Sequence, residues 1–157
     1  MKIAIGSDKS GFNLKEAVKT HLVSLGYEVA DVGTKDLDHG MAYFEVAPKV
    51  AEMIQKRECE RGILCCGTGM GMALVANKYK GVYAAVVESV YAAKKSRVIN
   101  NANVLTMGER IIGQEMSIEM VDAFLNTEFL QDLEEWRKDF IKNAFNKFGE
   151  LEVRICK

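Results

Sequence analysis

The sequence predicts an α/β fold: one domain, residues 1–157, built on a five-stranded parallel sheet with helices on both faces. Three observations predict it. Five short apolar runs alternate with segments of helical apolar spacing. Several runs end in glycine-rich turns, as strands feeding helices do. The length of 157 residues fits one domain, without repeat, low-complexity stretch or linker.

The elements follow in order. Ile3–Ile5 is a strand running into the turn Gly6-Ser7-Asp8-Lys9-Ser10-Gly11. Leu14, Val18, Leu22 and Leu25 recur at helical spacing from Phe12 to Leu25, and Gly26 stops that helix. Tyr27–Val32 reads as a second strand, followed by a polar loop holding Asp36, Asp38, His39 and Gly40. A helix then runs from about Glu45 to Arg57, with Pro48 expected in its first turn, where a missing N–H costs nothing. Gly62–Cys66 is a buried strand entering Gly67-Thr68-Gly69-Met70-Gly71, with a helix over Met72–Asn77. Val82–Val87 and Asn103–Met107 are the last strands, and Val90–Arg97 is the helix between them. Helices over Ser117–Leu125 and Asp132–Phe148 complete the pattern, and Leu151, Val153 and Ile155 alternate along a C-terminal tail.

Composition narrows the function. Hydrophobic residues make up 48% and charged residues 27%, enough for a real core. A formal net charge of -1 gives no electrostatic reason to expect nucleic acid or an anionic membrane as partner. No apolar run approaches the ~20 residues of a membrane span, and the N-terminal apolar stretch is too short for a signal peptide. Cys59, Cys65, Cys66 and Cys156 lack the spacing of a disulfide framework or a zinc site, which points to a reducing cytoplasm. With His21 inside a helix and His39 in a loop, no metal constellation is expected.

In open parallel sheets, ligands collect beyond the carboxyl ends of the strands. The segment Cys66–Gly71 is the most informative such end. Glycines at 67, 69 and 71 let the backbone approach a ligand, and the helix start presents free N–H groups to an anion. The competing reading is a tight strand-to-helix turn with no ligand. Thiols at helix starts serve as nucleophile or base, which singles out Cys66, whereas Cys65 reads as a small core hydrophobe. A tyrosine-phosphatase loop needs Arg six residues after its cysteine, and here that residue is Met72. The loop also lacks the lysine and spacing of a nucleotide-binding P-loop. Asp8 ends the first strand at the same edge, where a helix-start carboxylate is the bland alternative. Asn100, Asn101 and Asn103 are ordinary turn formers unless a ligand uses them.

Together these segments resemble ribose-5-phosphate isomerase B and the galactose-6-phosphate isomerase subunits, one family. The residues that carry the resemblance are Lys2–Asp8, Leu14-Lys15, Gly26–Val29 and above all Gly62–Met72. It continues through Ala76–Lys78, Asn100–Leu105, Met107–Gly113 and Phe124–Phe129. The resemblance implies a Rossmann-like three-layer αβα sandwich and a cofactor-free isomerase of a small phosphorylated sugar. It implies a homodimer or dimer of dimers whose sites are completed by the neighbouring subunit. Cys66 matches the base that carries a proton between C1 and C2, and Thr68 a hydroxyl that helps move protons between the oxygens. The amides of Gly67, Thr68, Gly69, Met70 and Gly71, with Asn100, match an anion hole for the enediolate. Asp8 and Tyr43 match sugar contacts, and Arg110 and Arg137 match phosphate-holding arginines that reach across between subunits.

The departures shape the substrate expectation. Typical ribose-5-phosphate isomerases have His where Lys9 stands; Lys9 matches one galactose-6-phosphate isomerase subunit and adds a positive charge at the substrate site. They have a ring-opening His where Ile99 stands. The family's Gly-Gly-Arg-His stretch is replaced by Gln131-Asp132-Leu133-Glu134, which removes one phosphate arginine. A tetrose 4-phosphate cannot close a furanose ring, because its C4 oxygen is esterified, so it has no need of the histidine. The expectation is therefore an open-chain tetrose 4-phosphate, interconverting the erythrulose and erythrose forms. The alternatives are ordinary ribose 5-phosphate isomerisation, with Lys9 or a neighbour opening the ring, and a hetero-oligomeric subunit role. A nucleotide-binding module has only the fold in its favour.

Overall fold

The computed structural model describes residues 1–155; Cys156 lies outside them. Five parallel strands form one sheet in the order β2-β1-β3-β5-β4. They are β1 (Lys2–Ser7), β2 (Glu28–Asp31), β3 (Arg61–Cys66), β4 (Ala84–Val86) and β5 (Val104–Gly108). The helices are α1 (Phe12–Ser24), α2 (Tyr43–Gln55), α3 (Met70–Ala76), α4 (Val90–Val98), α5 (Gln114–Leu125) and α6 (Glu135–Ile155).

The strand pleat separates two cores. Ile3, Ile5, Ile63, Cys65, Leu105 and Met107 point to one face and bury Leu14, Val18 and Leu22 of α1 with Met120 and Phe124 of α5. Ala4, Leu64, Cys66 and Val104 point to the other and meet Val46, Val50 and Ile54 of α2 with Met72 of α3. Strands buried on both faces read as continuous apolar runs, which is why β1, β3 and β5 were evident in the sequence. The adjacent cysteines thus face opposite layers.

Boundaries differ where local chemistry was ambiguous. The edge strands β2 and β4 are shorter than expected because each pairs on one side only. Helix α3 starts at Met70, so the last glycine of the loop lies inside it. Helix α2 starts at Tyr43, which places Pro48 beyond the first turn. The carbonyl it leaves without a helical partner belongs to exposed Phe44, where water can reach it. The C-terminal segment departs most. Leu151, Val153 and Ile155 continue α6 instead of alternating along a tail, and the helix begins at Glu135, not Asp132. Glu152 anchors it, accepting from the Gly81 N–H at 2.7 Å and the Tyr83 hydroxyl at 3.2 Å.

A buried charge network ties α1 to β2. The Lys15 ammonium is fully buried and donates to Asp31 Oδ2 at 2.9 Å and to the Thr34 carbonyl at 2.7 Å. Burial alone would raise the Asp31 carboxyl, but the bonds from Lys15 and Lys19, with the Gly33 N–H, bring it down to about 2. A carboxylate depressed on folding stabilises the fold above its unfolded value near ~4 and loses that contribution as pH falls through its folded value. Asp31 therefore contributes about 2 kcal/mol at neutral pH, lost between about pH 4 and pH 2. In Asp31→Asn, urea midpoints should lose that acid-sensitive component, and neutral stability should drop by about 1.5–3 kcal/mol, because the buried Lys15 loses this carboxylate while keeping Glu16 and the Thr34 carbonyl. An unchanged pH profile would show that Asp31 is not a source of the acid sensitivity.

Candidate active site

The sheet order reverses between β1 and β3, since β1 connects outward to β2 while β3 begins the opposite half. Crevices form at such a switch point beyond the carboxyl ends of the strands. Asp8 follows β1 there and Cys66 ends β3.

Cys66 is 5% exposed, and its Sγ accepts from the Gly69 N–H at 3.0 Å. Gly69 adopts φ 79°, a backbone that L side chains rarely take, and this turns its N–H back onto the sulfur. The loop is pinned from β5: the Glu109 N–H donates to the Cys66 carbonyl at 2.9 Å and the Arg110 N–H to the Gly67 carbonyl at 3.1 Å. From the short turn after β1, Gly11 packs so tightly that a methyl there would come within 2.4 Å of Cys65 backbone. Thr68 Oγ1 accepts weakly from the Met70 N–H at 3.4 Å. Cys65 is fully buried in the opposite core, and burial pushes its thiol far above the ordinary range, with the Cys66 thiol beside it adding to the rise.

The sugar-contact candidates ring this loop. Asp8 Oδ1 accepts from the N–H groups of Ser10 at 2.8 Å and Gly11 at 3.0 Å. Burial raises its carboxyl above the ordinary range, against the pull of those bonds and of Arg110. The Tyr43 ring lies against Gly71, where a methyl would meet it at 3.0 Å. Arg110 Nε and Ser10 Cβ each lie 3.5 Å from where a methyl on Gly67 would sit. The Lys9 stem rests on Gly40, leaving no space for a side chain there. Neither Lys9 nor Arg110 forms an ion pair among the described residues. Arg110 thus stands against the loop and Lys9 against Gly40, each without an ion-pair partner among the described residues.

Asn100 and Arg137 are not part of this constellation. Asn103 meets Gly62 at the beginning of β3, whereas Cys66 is at its end. Asn100, at the foot of α4, is therefore separated from Cys66 by the height of the sheet, roughly 15 Å. The approach to α6 sits at that same foot, with the Leu130 N–H donating to the Val98 carbonyl at 3.0 Å. The anion hole expected from Gly67–Gly71 with Asn100 is thus not assembled within one chain. Arg110 Nε lies over the loop of its own chain.

Ser10, Thr34 and Gly40 were not singled out by the sequence. Thr34 hangs the loop that precedes Tyr43: its carbonyl takes the Lys15 ammonium and its Oγ1 accepts from the Met41 N–H at 3.0 Å. Only the Asp-x-Ser-Gly order at 8–11 hinted at Ser10, through the turn its aspartate caps. His21 pairs with Asp122 across α1 and α5, and His39 with Asp36 in its loop; neither faces Cys66. Among the described residues, no group of three or more His, Cys, Asp or Glu side chains is placed to hold a metal, and no helix is long and apolar enough to cross a membrane.

Comparison with known proteins meets this geometry. The ribose/galactose isomerase family profile matches residues 3–141. The 4-deoxy-4-sulfo-D-erythrose isomerase of Clostridium sp. strain MSTE9 is 56% identical over 155 residues, covering 99% of this chain and 98% of that protein. The D-erythrulose-4-phosphate isomerase 2 of Mycolicibacterium smegmatis is 42% identical, covering 82% of this chain and 86% of its own length. Among solved structures, ribose-5-phosphate isomerase B of Clostridium thermocellum superposes with a TM-score of 0.89 at 40% identity, covering 98% and 99% of the two chains.

Proposed function

Because the chain belongs to the ribose/galactose isomerase family, we propose that this sugar isomerase interconverts the aldose and ketose forms of an acyclic four-carbon sugar carrying a sulfonate at C4. The observation that carries this reading is the 56% identity, over essentially the whole chain, to a 4-deoxy-4-sulfo-D-erythrose isomerase. A C4 sulfonate leaves no C4 hydroxyl, so the ring cannot close and Ile99 in place of a ring-opening histidine costs nothing. The charge balance agrees. A sulfonate carries a single negative charge, whereas a phosphate ester approaches two at neutral pH. The segment Gln131–Glu134 supplies two carboxylates and no arginine, and the cation against the loop is Arg110, with Lys9 packed on Gly40.

Cys66, as thiolate, takes the C2 proton of the aldose, and the C–H electron pair becomes the C1–C2 double bond of an enediolate. Thr68 moves a proton from O2 to O1, and the thiol returns its proton to C1, giving the ketose. The amides of Gly67–Gly71 stabilise the oxyanion at each stage. Asp8 and Tyr43 orient the hydroxyls, while Arg110 and Lys9 hold the tail. The reaction draws on side chains and amides of the protein alone.

The site is completed in a homodimer by Asn100 and Arg137 of the partner subunit. Support comes from their place at the far edge and from an apolar cavity of about 700 Å³ there, lined by Ile99, Phe140 and Phe145. Exposed Trp136 and Phe140 on α6 give a second copy apolar surface to cover. The setting is a reducing cytoplasm, in keeping with Cys59, Cys65 and Cys66 as buried free thiols.

Steady-state kinetics on three substrates test the reading. The 4-deoxy-4-sulfo tetrose should exceed tetrose 4-phosphate by about tenfold in kcat/KM, a difference of ~1.4 kcal/mol, and ribose 5-phosphate by more. A tetrose 4-phosphate preference would keep the open-chain argument and shift the tail to phosphate, as the mycobacterial relative's name favours. Highest kcat/KM with ribose 5-phosphate would overturn both.

A further inference from the structure

A second cation-rich cavity lies at the edge of the sheet opposite Cys66, where β3, β4 and β5 begin. It has a volume of about 500 Å³, and its walls include Arg57, Arg61, Lys80, Arg97, Asn101 and Asn103. Arg97 is 3% exposed and, among the described residues, forms no ion pair with a carboxylate: it donates to the Thr127 carbonyl at 3.3 Å, the Asn101 side chain at 3.0 Å and the Ala102 carbonyl at 2.6 Å. Buried guanidinium groups ordinarily meet a carboxylate, because backbone carbonyls leave the net charge uncompensated. Arg61 adds a second anomaly. Its Nη1 donates to the Glu60 carbonyl at 2.8 Å, but its Nε is buried without an acceptor among the described residues.

Among the described residues, Glu60 is the one carboxylate lining the cavity, and it is directed to Met1 and Lys2, accepting from the Lys2 N–H at 3.4 Å with the Met1 amine at 3.9 Å. Burial, and then the charge of Arg61, bring the Arg97 guanidinium down to about 10 against a smaller opposing pull from the Glu128 carboxylate, so it remains charged at neutral pH and the two cations oppose each other. Asn103 contributes wall rather than donor, since its amide is engaged with the Gly81 carbonyl and the Tyr83 N–H.

We propose that this cavity is an anion-binding site, distinct from the catalytic crevice, that takes a tetrahedral oxyanion on Arg61 and Arg97 with Arg57 and Lys80 at its rim. A phosphate, sulfate or sulfonate group presents the array of acceptors that guanidinium forks pair with, supplies the acceptor missing at Arg61 Nε and relieves the repulsion between buried Arg97 and half-buried Arg61. The site also touches function. Arg97 grips Asn101 and Ala102, the residues next to Asn100, so an anion here steadies the turn that carries Asn100.

Calorimetric titration of the full chain with inorganic phosphate and with sulfate tests it. Wild type should bind two equivalents per chain, one at each edge of the sheet. Arg61→Gln should abolish one equivalent while leaving kcat and KM measured without added oxyanion unchanged; Arg110→Ala should weaken the other. Arg57→Asn, suited to the φ of 59° at that position, is a second variant on an exposed rim and should weaken the same equivalent about tenfold. Two arms identify the source of the anion. If Cys66→Ala protein binds a second equivalent of the sulfo-sugar that Arg61→Gln removes, the ligand is a sugar tail; if only the inorganic ions occupy it, the ligand is the free oxyanion. The same stoichiometry and affinity in Arg61→Gln, Arg57→Asn and wild type would overturn the proposal, whatever the substrate of the isomerase.

Discussion

Replacing Cys66 with alanine is expected to lower turnover by about a thousandfold or more, within the range that a positioned acid–base group contributes. Cys65→Ala should leave turnover near wild type and cost only about 1–2 kcal/mol of stability for the lost sulfur in a packed core. The contrast follows from the pleat of β3. One thiol enters the crevice under the Gly69 N–H, and its neighbour is sealed in the opposite layer. Steady-state rates together with an unfolding curve separate the two effects. Near-normal turnover in folded Cys66→Ala protein would mean that another group moves the proton.

Mixing two inactive variants should restore activity if the site is shared. In an exchanged mixture of Cys66→Ala and Asn100→Ala chains, half the dimers hold one of each, and each of those contains one intact site. The expected recovery is therefore about one quarter of wild-type activity. Cys66→Ala mixed with Arg110→Ala should recover nothing, because both residues flank the same loop of one chain. That second outcome runs against the sequence expectation that Arg110 reaches across. Recovery in the Arg110 pair, with none in the Asn100 pair, would refute the arrangement.

What the sequence revealed divides along physical lines. The interior strands β1, β3 and β5 were legible because strands buried on both faces are apolar throughout. The glycine loop was legible because close backbone approach leaves a compositional trace. The edge strands and α6 were less so. β4 keeps only three residues, and alternating Leu151, Val153 and Ile155 satisfy a strand period while also fitting a helix whose far side is exposed. The site at Cys66 could be read from Asp8, Cys66 and the glycines, since their strand ends share an edge. The position of Asn100 could not, because nothing in Asn100–Asn103 says at which end of the sheet the turn falls. Thr34 and Gly40 left no signal because their roles lie in what they hold.

The loop from Thr34 to Tyr43 has a consequence for how such an enzyme changes over generations. Its near end is bolted to a buried ammonium, its Gly40 packs on the Lys9 stem, and its far end continues into α2, whose first residue, Tyr43, lays its ring on Gly71. Lengthening or recomposing the stretch between those ends alters which sugars fit without disturbing the sulfur or the amides that face it. Chemistry and appetite are thus written in separable parts of the chain, so selection can revise one while the other stands still.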